Sequence, residues 1–142
     1  MTAKEYLGQI RRLDLEIDSM IRYKETLRDR LYSVSGMSFD APPVMHSKSG
    51  DAPFEALIAK VAREERKIVR RIDYLVSLRG TIANEVSQIK NDTYRLILIM
   101  RYLEYCRWDQ IADRLGYAER HIYRLHGQAL EAFRKQFPER CQ

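Results

Sequence analysis

The chain has little of what disulfide frameworks, metal sites and membrane spans require. Its only two cysteines, Cys106 and Cys141, stand far apart without the spacing of a zinc or redox motif, so free thiols are expected. The longest aliphatic run, 96–100, has five residues and is far too short to span a membrane. Lys4 and Glu5 occupy positions where a signal peptide needs apolar residues. We therefore expect a cytoplasmic protein with no membrane partner.

Catalytic motifs are also lacking. The sequence contains no glycine-rich phosphate loop, no Gly-x-Ser-x-Gly elbow and no His-Glu-x-x-His motif, and its carboxylates are scattered. His121 and His126 are five positions apart and do not share a helix face, so a zinc site with Cys106 is not expected. We expect neither an enzyme nor a cofactor.

Charge gives a weak indication of the partner. The chain carries 25 Lys and Arg against 20 Asp and Glu, a net charge of +5. Residues 90–142 contribute +3 of this, from 10 basic and 7 acidic residues. The excess favours a polyanionic partner only mildly.

Two long segments repeat apolar residues in alternating steps of four and three, which is typical of a coiled-coil seam. The first repeat, in which only Lys24 is polar, comprises Tyr6, Ile10, Leu13, Ile17, Met20, Lys24, Leu27, Leu31 and Val34. The second, interrupted by Glu65 and Arg79, comprises Phe54, Ile58, Val61, Glu65, Ile68, Ile72, Leu75, Arg79, Ile82, Val86 and Ile89. Both stripes predict packing surfaces, used for folding or for self-association.

The segment between the two repeats, 35–52, is rich in Ser, Gly and Pro and predicts a flexible linker. Asp51 is a candidate N-cap for the second helix, and Pro53 suits its first turn, where no N–H is needed. If the two helices fold back as an antiparallel hairpin with Leu31 near Ile58, Lys24 lies near Glu65, and we expect these two to pair. An intermolecular coiled coil would use the same stripes.

The last third of the chain predicts three shorter helices. Asn91 or Asp92 can cap the first helix, and Gly116 supplies the turn between the second and the third. The third is expected from about Glu119 to Gln136. The expected core residues are Leu96, Ile99, Met100 and Leu103 in the first helix, Trp108, Ile111, Ala112 and Leu115 in the second, and Ile122, Leu125, Ala129 and Phe133 in the third. The last two helices then form a helix-turn-helix.

The face opposite that core is basic and aromatic at the start of the third helix. Arg120 and Arg124 lie at its centre, where an arginine of a recognition helix can donate two hydrogen bonds to guanine in the major groove. The flanking positions are Tyr123 and Arg134 on one side and His121 and Gln128 on the other. The alternative is an ordinary solvated face, but turn, core and charge together favour binding of double-stranded DNA.

The stretch "YRLILIMRYLEYCRWDQIADRLGYAERHIYRLHGQALEAF", 94–133, resembles region 4 of sigma-70-type sigma factors, and more closely phage-encoded regulators of the RinA/ArpU type. The elements "RY", "W..IA..LGY" and "RH.YRLHG.AL" carry the resemblance, and the opening "KEYLGQIRRLD" also looks like the start of such phage proteins. The resemblance implies sequence-specific DNA binding and control of transcription, in phages typically of late genes.

The resemblance also implies roles for single residues. The base-reading positions match Glu119, Arg120, Tyr123 and Arg124, with Glu119 a candidate acceptor from cytosine N4. The expected phosphate contacts are Arg101, Arg107, His121, Gln128 and Arg134. Two departures matter: Ala118 stands where the family usually has a Ser or Thr cap, and the chain has no counterpart of the segment that melts the −10 element.

Together these patterns predict an all-α chain in which a long antiparallel coiled-coil-like hairpin precedes a C-terminal tri-helical helix-turn-helix domain. The expected domains are a first coiled-coil helix (1–34), the linker (35–52), a second coiled-coil helix (53–89) and a sigma region 4-like head (90–142). The expected function is a phage transcriptional activator that recruits host RNA polymerase, works in the bacterial cytoplasm and self-associates through the long helices. One alternative is a small terminase-like packaging protein, although such proteins usually carry the DNA-binding unit first. The other is a polymerase-binding module that does not read DNA.

Overall fold

The computed structural model describes residues 1–36 and 51–142, and no strand occurs in these two ranges, so the all-α class is confirmed. The elements are α1 (Ala3–Gly36), α2 (Asp51–Ser87), α3 (Asp92–Leu98), a π-helical turn (Ile99–Leu103), α4 (Trp108–Leu115), α5 (Glu119–Gln136) and a final 3-10 turn (Pro138–Arg140). Most of the predicted linker, and the capping side chain of Asp51, lie outside the described residues. None of the described helices combines the length and apolar character needed to cross a membrane.

The chain divides into two compact units. The larger unit comprises residues 1–14 and 74–142, and the smaller unit comprises residues 15–73. The two ends of the long helices, the start of α1 and the end of α2, therefore belong to the same unit as α3 to α5.

In the smaller unit α1 and α2 lie side by side in opposite directions. Glu16 of α1 forms an ion pair with Arg71 of α2 at 3.0 Å. Two turns later in α1, the Tyr23 ring lies 5.8 Å from Nζ of Lys60, which precedes Arg71 in α2. The buried side chains between the helices are Ile17, Leu27, Val61 and Ile68. All of them belong to the predicted 4-3 stripes.

Part of the predicted stripe on α2 is wrong. Ile58 and Ile72 are 46% and 39% exposed, and Leu57 and Glu64 take the half-buried places instead. Moving one residue along a helix turns the face by about 100°, and a stripe through 57 and 64 shares Val61 and Ile68 with the predicted one. The predicted ion pair of Lys24 with Glu65 is also wrong, since Lys24 Nζ lies 2.9 Å from Glu25.

The larger unit is organised around a first core in which the ends of both long helices meet α3 and α5. Its buried residues are Ala3, Tyr6, Leu7, Ile10, Ile82, Val86, Ile89, Leu98, Tyr102, Leu103, Ala129 and Phe133. A smaller second core joins α3, α4 and α5 and comprises Ile97, Cys106, Ile111, Ala112 and Ile122. Because α5 contributes to both cores, its orientation within this unit is fixed at two points.

A buried carboxylate, Glu85, ties three parts of the larger unit together. One of its oxygens accepts a hydrogen bond from the Tyr6 hydroxyl at 2.8 Å, and the other accepts one from Arg140 Nε at 2.8 Å. Burial, reinforced by the carboxylate of Glu85, raises the pKa of Tyr6 to about 12. Burying an unpaired carboxylate costs free energy. Both oxygens of Glu85 accept a hydrogen bond, one of them from a guanidinium, and these contacts offset that cost.

The inward face predicted for α3 is wrong at one position. Leu96 is 40% exposed, whereas its neighbours Ile97 and Leu98 are completely buried. The reason is that α3 lies between the two cores: Leu98 packs into the first and Ile97 into the second. The predicted cap is confirmed, since Asn91 Oδ1 accepts a hydrogen bond from the Tyr94 amide at 3.0 Å.

A residue with strained backbone geometry follows two positions after the π-helical turn. Tyr105 has a φ of 58°, which is uncommon for a residue with a side chain, and its hydroxyl donates to Asp14 at 2.8 Å. Arg79 donates to the carbonyl of Leu103, and its guanidinium carbon lies 5.8 Å from the Tyr105 ring centre. Arg79, which interrupted the predicted stripe, therefore supports this turn.

The turn between α4 and α5 is confirmed as predicted. Gly116 has a φ of 73°, and its N–H and that of Tyr117 both donate to the carbonyl of Ala112, the second at 3.0 Å. This left-handed residue closes α4, and α5 begins three residues later at Glu119.

Two glycine substitutions are expected to change stability in opposite directions. A Cβ at Gly116 or at Gly127 meets no heavy atom within 4 Å, so only the backbone distinguishes the two sites. Gly116→Ala forces alanine into a left-handed conformation and should lower the free energy of unfolding by about 1 kcal/mol. Gly127→Ala, inside α5, should raise it by about 0.5–1 kcal/mol. Equal effects in urea unfolding of the two variants would contradict this account of the turn.

Candidate nucleic-acid interface

The outward face of α5 is set by what the helix buries. Ile122, Ala129 and Phe133 are completely buried, and together they occupy one side of α5 along most of its length. The opposite side at the start of the helix carries Arg120 and Arg124, both exposed. The side chains predicted to read bases therefore face solvent, on a helix that its inner face holds in place.

The Tyr123 side chain is held in a defined position on this face. Its hydroxyl donates to Glu119 Oε1 at 2.9 Å, one turn earlier in α5, and its ring lies 5.2 Å from the ring of Trp108 in α4. The hydrogen bond to Glu119 raises the pKa of Tyr123. Tyr123 is 49% exposed, so its ring contacts Trp108 and remains accessible from solvent.

The two arginines differ in how they are engaged. Arg124 Nη2 lies 2.7 Å from His121 Nδ1, which accepts this hydrogen bond only when that nitrogen carries no proton. The His121 ring also packs edge-on against Tyr117 at 4.8 Å. Arg120 has no hydrogen-bond or ion-pair partner in the described part of the chain. Of the two arginines, Arg120 is therefore the more readily available to a ligand.

Arg101, predicted to contact phosphate, is engaged within the protein. Its Nη1 donates to the carbonyl of Cys106 at 3.0 Å, and its guanidinium carbon lies 4.3 Å from the centre of the Trp108 ring. It thereby satisfies a carbonyl after the π-helical turn and stacks on the tryptophan that supports Tyr123. These contacts make Arg101 a supporting residue of the face.

The other predicted phosphate contacts are exposed but partnered. Arg107 pairs with Asp109 at 3.2 Å, and Arg134 forms a two-point pair with Glu131 at 2.9 and 2.7 Å. Gln128 Oε1 accepts a hydrogen bond from the Tyr94 hydroxyl at 2.9 Å. Exposed ion pairs of this kind contribute little to stability, so the arginines can exchange partners at small cost.

An aromatic stack beneath the face is not apparent from the sequence. The imidazole of His126, which is only 8% exposed, lies 4.6 Å from the Trp108 ring, and its Nε2 is 2.9 Å from the Tyr102 hydroxyl. Burial is the main cause that lowers the pKa of His126 to about 4, with smaller contributions from Lys4 and Arg101. The stack of Tyr102, His126 and Trp108 therefore ends at Tyr123 on the surface. The described residues contain no group of three potential metal ligands.

The charge of this region is balanced except at the start of α5. Around α4 the exposed basic residues Arg107 and Arg114 are opposed by Asp109 and Asp113, and Arg114 lies 3.5 Å from Glu104. Beyond Glu119, the first turns of α5 carry only positive charge, from Arg120 and Arg124. A polyanion would therefore meet a small positive area, centred on these two side chains.

The start of α5 lacks a side-chain cap. Ala118 occupies the N-cap position with φ −66° and ψ 145° and offers no side-chain acceptor to the free amides of the first turn. Glu119 follows it, and a carboxylate there is favoured by the positive end of the helix dipole. The His121 amide donates to the Ala118 carbonyl at 3.0 Å, which leaves the amides of Glu119 and Arg120 available to an anion or to water.

Comparison of the chain with protein-family models, with curated proteins and with solved structures finds no match in any of the three.

The buried imidazole predicts a pH dependence of stability. His126 titrates near its ordinary 6.5 in the unfolded chain and near 4 in the fold, so between these values the unfolded chain binds more protons. As the pH falls from about 6.5 to about 4, this group should remove about 3 kcal/mol from the free energy of unfolding. Urea unfolding at several pH values should show a shallower decline for His126→Gln, which keeps a polar group opposite Tyr102. An identical decline in both proteins would contradict a buried neutral imidazole.

Proposed function

We propose that the chain is a sequence-specific DNA-binding regulator of transcription whose α5 enters the major groove. One observation carries the proposal: α4, a left-handed glycine turn and α5 together expose Arg120, Tyr123 and Arg124 on a helix whose other side is buried in two cores. A helix in the major groove needs such an outward face, because base edges are read by side chains of its first turns.

Arg120 is the primary base reader in this proposal. An unpartnered guanidinium can donate two parallel hydrogen bonds to the O6 and N7 atoms of guanine without first breaking an internal contact. Such a pair discriminates against the wrong base by about 1–3 kcal/mol. Arg124 must leave His121 to do the same, so its contribution is smaller unless His121 takes a new partner.

Glu119 and Tyr123 act as a unit. Glu119 Oε1 is occupied by the Tyr123 hydroxyl, which leaves Oε2 as the acceptor for a cytosine amino group. The hydrogen bond and the Trp108 ring fix Tyr123 before DNA arrives, so little side-chain entropy is lost on binding. This preorganisation compensates in part for the small number of positive charges.

Four of the five residues expected to contact phosphate keep that role in this proposal. Arg107, Arg134, Gln128 and His121 surround the face at its edges and can contact the backbone by exchanging their present partners. Arg101 supports Trp108 from inside, and we assign it no phosphate.

Recruitment of host RNA polymerase and control of phage late genes rest on the resemblance to sigma region 4 and are part of the same proposal. The carboxylates Asp109, Asp113 and Glu104 beside the face favour one alternative, a module that binds a protein such as polymerase and does not read DNA. These carboxylates repel the phosphate backbone and suit a basic protein surface, although Arg107 and Arg114 offset part of their charge.

Selection of bound duplexes from a random pool, followed by titration of the variants, tests the proposal. Arg120→Ala should weaken binding to the selected duplex at least tenfold while changing binding to random DNA little, and it should relax base choice at one position. Arg124→Ala should have a smaller effect in the same direction. Arg134→Ala should weaken binding to both duplexes alike.

Arg22→Ala provides the matched control, because it removes one exposed arginine from α1 and should leave both affinities unchanged. Equal losses on selected and random duplexes for Arg120→Ala would remove its assignment as a base reader. Failure of the selection to enrich any duplex would favour the protein-binding alternative.

A further inference from the structure

The smaller unit leaves an apolar stripe of α2 uncovered. Val69 is 57% exposed, Ile58 is 46% exposed and Ile72 is 39% exposed, although all three lie in the middle of a long helix. With Ala62 and Glu65 they follow steps of four and three, the same spacing that packs one helix against another. Ile58, Ala62 and Glu65 border a cavity that Leu31 and Tyr32 of α1 also line, whereas Val69 and Ile72 lie outside it. The part of the stripe from Glu65 onward is therefore the part that α1 leaves most open.

The shape of this face fits a helix. Ala62, Glu65, Arg66, Val69 and Arg70 border an open groove of about 490 Å³ along α2. A helix that lies along such a groove places a side chain into each gap between successive ridges. The occupant indicated by the spacing is therefore another amphipathic helix.

The charges identify which helix would fit. Glu65 stands inside the stripe, and Arg66 and Arg70 border it, and none of the three has an ion-pair partner in the described part of the chain. An occupant must therefore offer both an apolar surface and a positive group near Glu65. α2 itself offers both.

We propose that this stripe is the seam of an antiparallel dimer, in which α2 of a second copy of this chain packs against α2 of the first. The residues Ala62, Glu65, Val69 and Ile72 follow steps of three, four and three, which read the same in either direction. In the antiparallel register that superimposes these four positions, Ala62 faces Ile72 of the second copy, which places a small residue against a large one. Glu65 then faces Val69 of the second copy.

The same register places each Glu65 within one helical turn of Arg66 of the second copy, and the two-fold axis repeats the pair. The stripe that joins two copies is thus distinct from the one that joins α1 to α2. It lies on residues of the smaller unit and is independent of DNA binding by α5.

Sedimentation velocity of the full chain tests the dimer. The unchanged chain should be dimeric at micromolar concentration, and Val69→Glu should raise the dissociation constant more than tenfold with unchanged helix content by circular dichroism. Leu15→Glu is the control, since it adds the same charge at an apolar side chain of α1 that is 56% exposed and outside the stripe. A monomeric unchanged chain, or equal weakening by both variants, would overturn the proposal and leave the stripe to another occupant.

Disulfide formation between two differently labelled chains tests the register. In a Cys141→Ser background, an Ala62→Cys chain mixed with an Ile72→Cys chain should form a linked pair of mixed composition, while neither chain alone should form one efficiently. Efficient linkage of either chain with itself would overturn the antiparallel register. Arg120→Ala should remain dimeric. Loss of DNA binding and loss of the dimer are therefore distinguished, the first by DNA titration and the second by sedimentation.

Discussion

The larger unit depends on the anchoring of α5 at both ends of its inner face. Phe133 packs with the ends of the two long helices, and Ile122 packs with α3 and α4. A helix fixed at two points about three turns apart cannot rotate about its axis without exposing one of these side chains. The outward position of Arg120, Tyr123 and Arg124 follows from this packing.

Polar contacts reinforce the same anchoring. Glu85 joins α1, α2 and the final 3-10 turn through Tyr6 and Arg140, and Arg79 satisfies a carbonyl of the π-helical turn. The stack of Tyr102, His126 and Trp108 extends this support to the surface at Tyr123. The described residues leave no buried side-chain nitrogen or oxygen without a hydrogen-bond partner, which is what a single well-defined packing requires.

Local signals in the sequence predict local structure well. The Asn91 cap, the left-handed Gly116 and the bounds of α5 depend on short-range chemistry and are confirmed. It is harder to predict which side chains are buried where a helix contacts two neighbours at once. Ile97 and Leu98 are both buried because α3 lies between two cores, and no single helical stripe describes that arrangement.

The stripe on α2 shows a second limit of the same kind. Two 4-3 repeats, one through Leu57 and Glu64 and one through Ile58 and Glu65, share Val61 and Ile68, and apolar content alone favours the wrong one. The choice between them depends on tertiary packing against α1, which the pattern of α2 alone does not encode. The buried carboxylate of Glu85 likewise gives no signal in the sequence, because its partners lie 79 and 55 positions away.

Glu119, Arg120, Tyr123 and Arg124 are all exposed in the first turns of α5, and the proposed ligand of this face is the major groove of DNA. Methylation interference on a selected duplex measures it most directly, because dimethyl sulfate modifies guanine N7 in the major groove and adenine N3 in the minor groove. Binding should be blocked by methylation of one or two guanines, and Arg120→Ala should lose sensitivity at one of them. Binding that tolerates every guanine modification but is blocked at adenine N3 would contradict a major-groove role for α5.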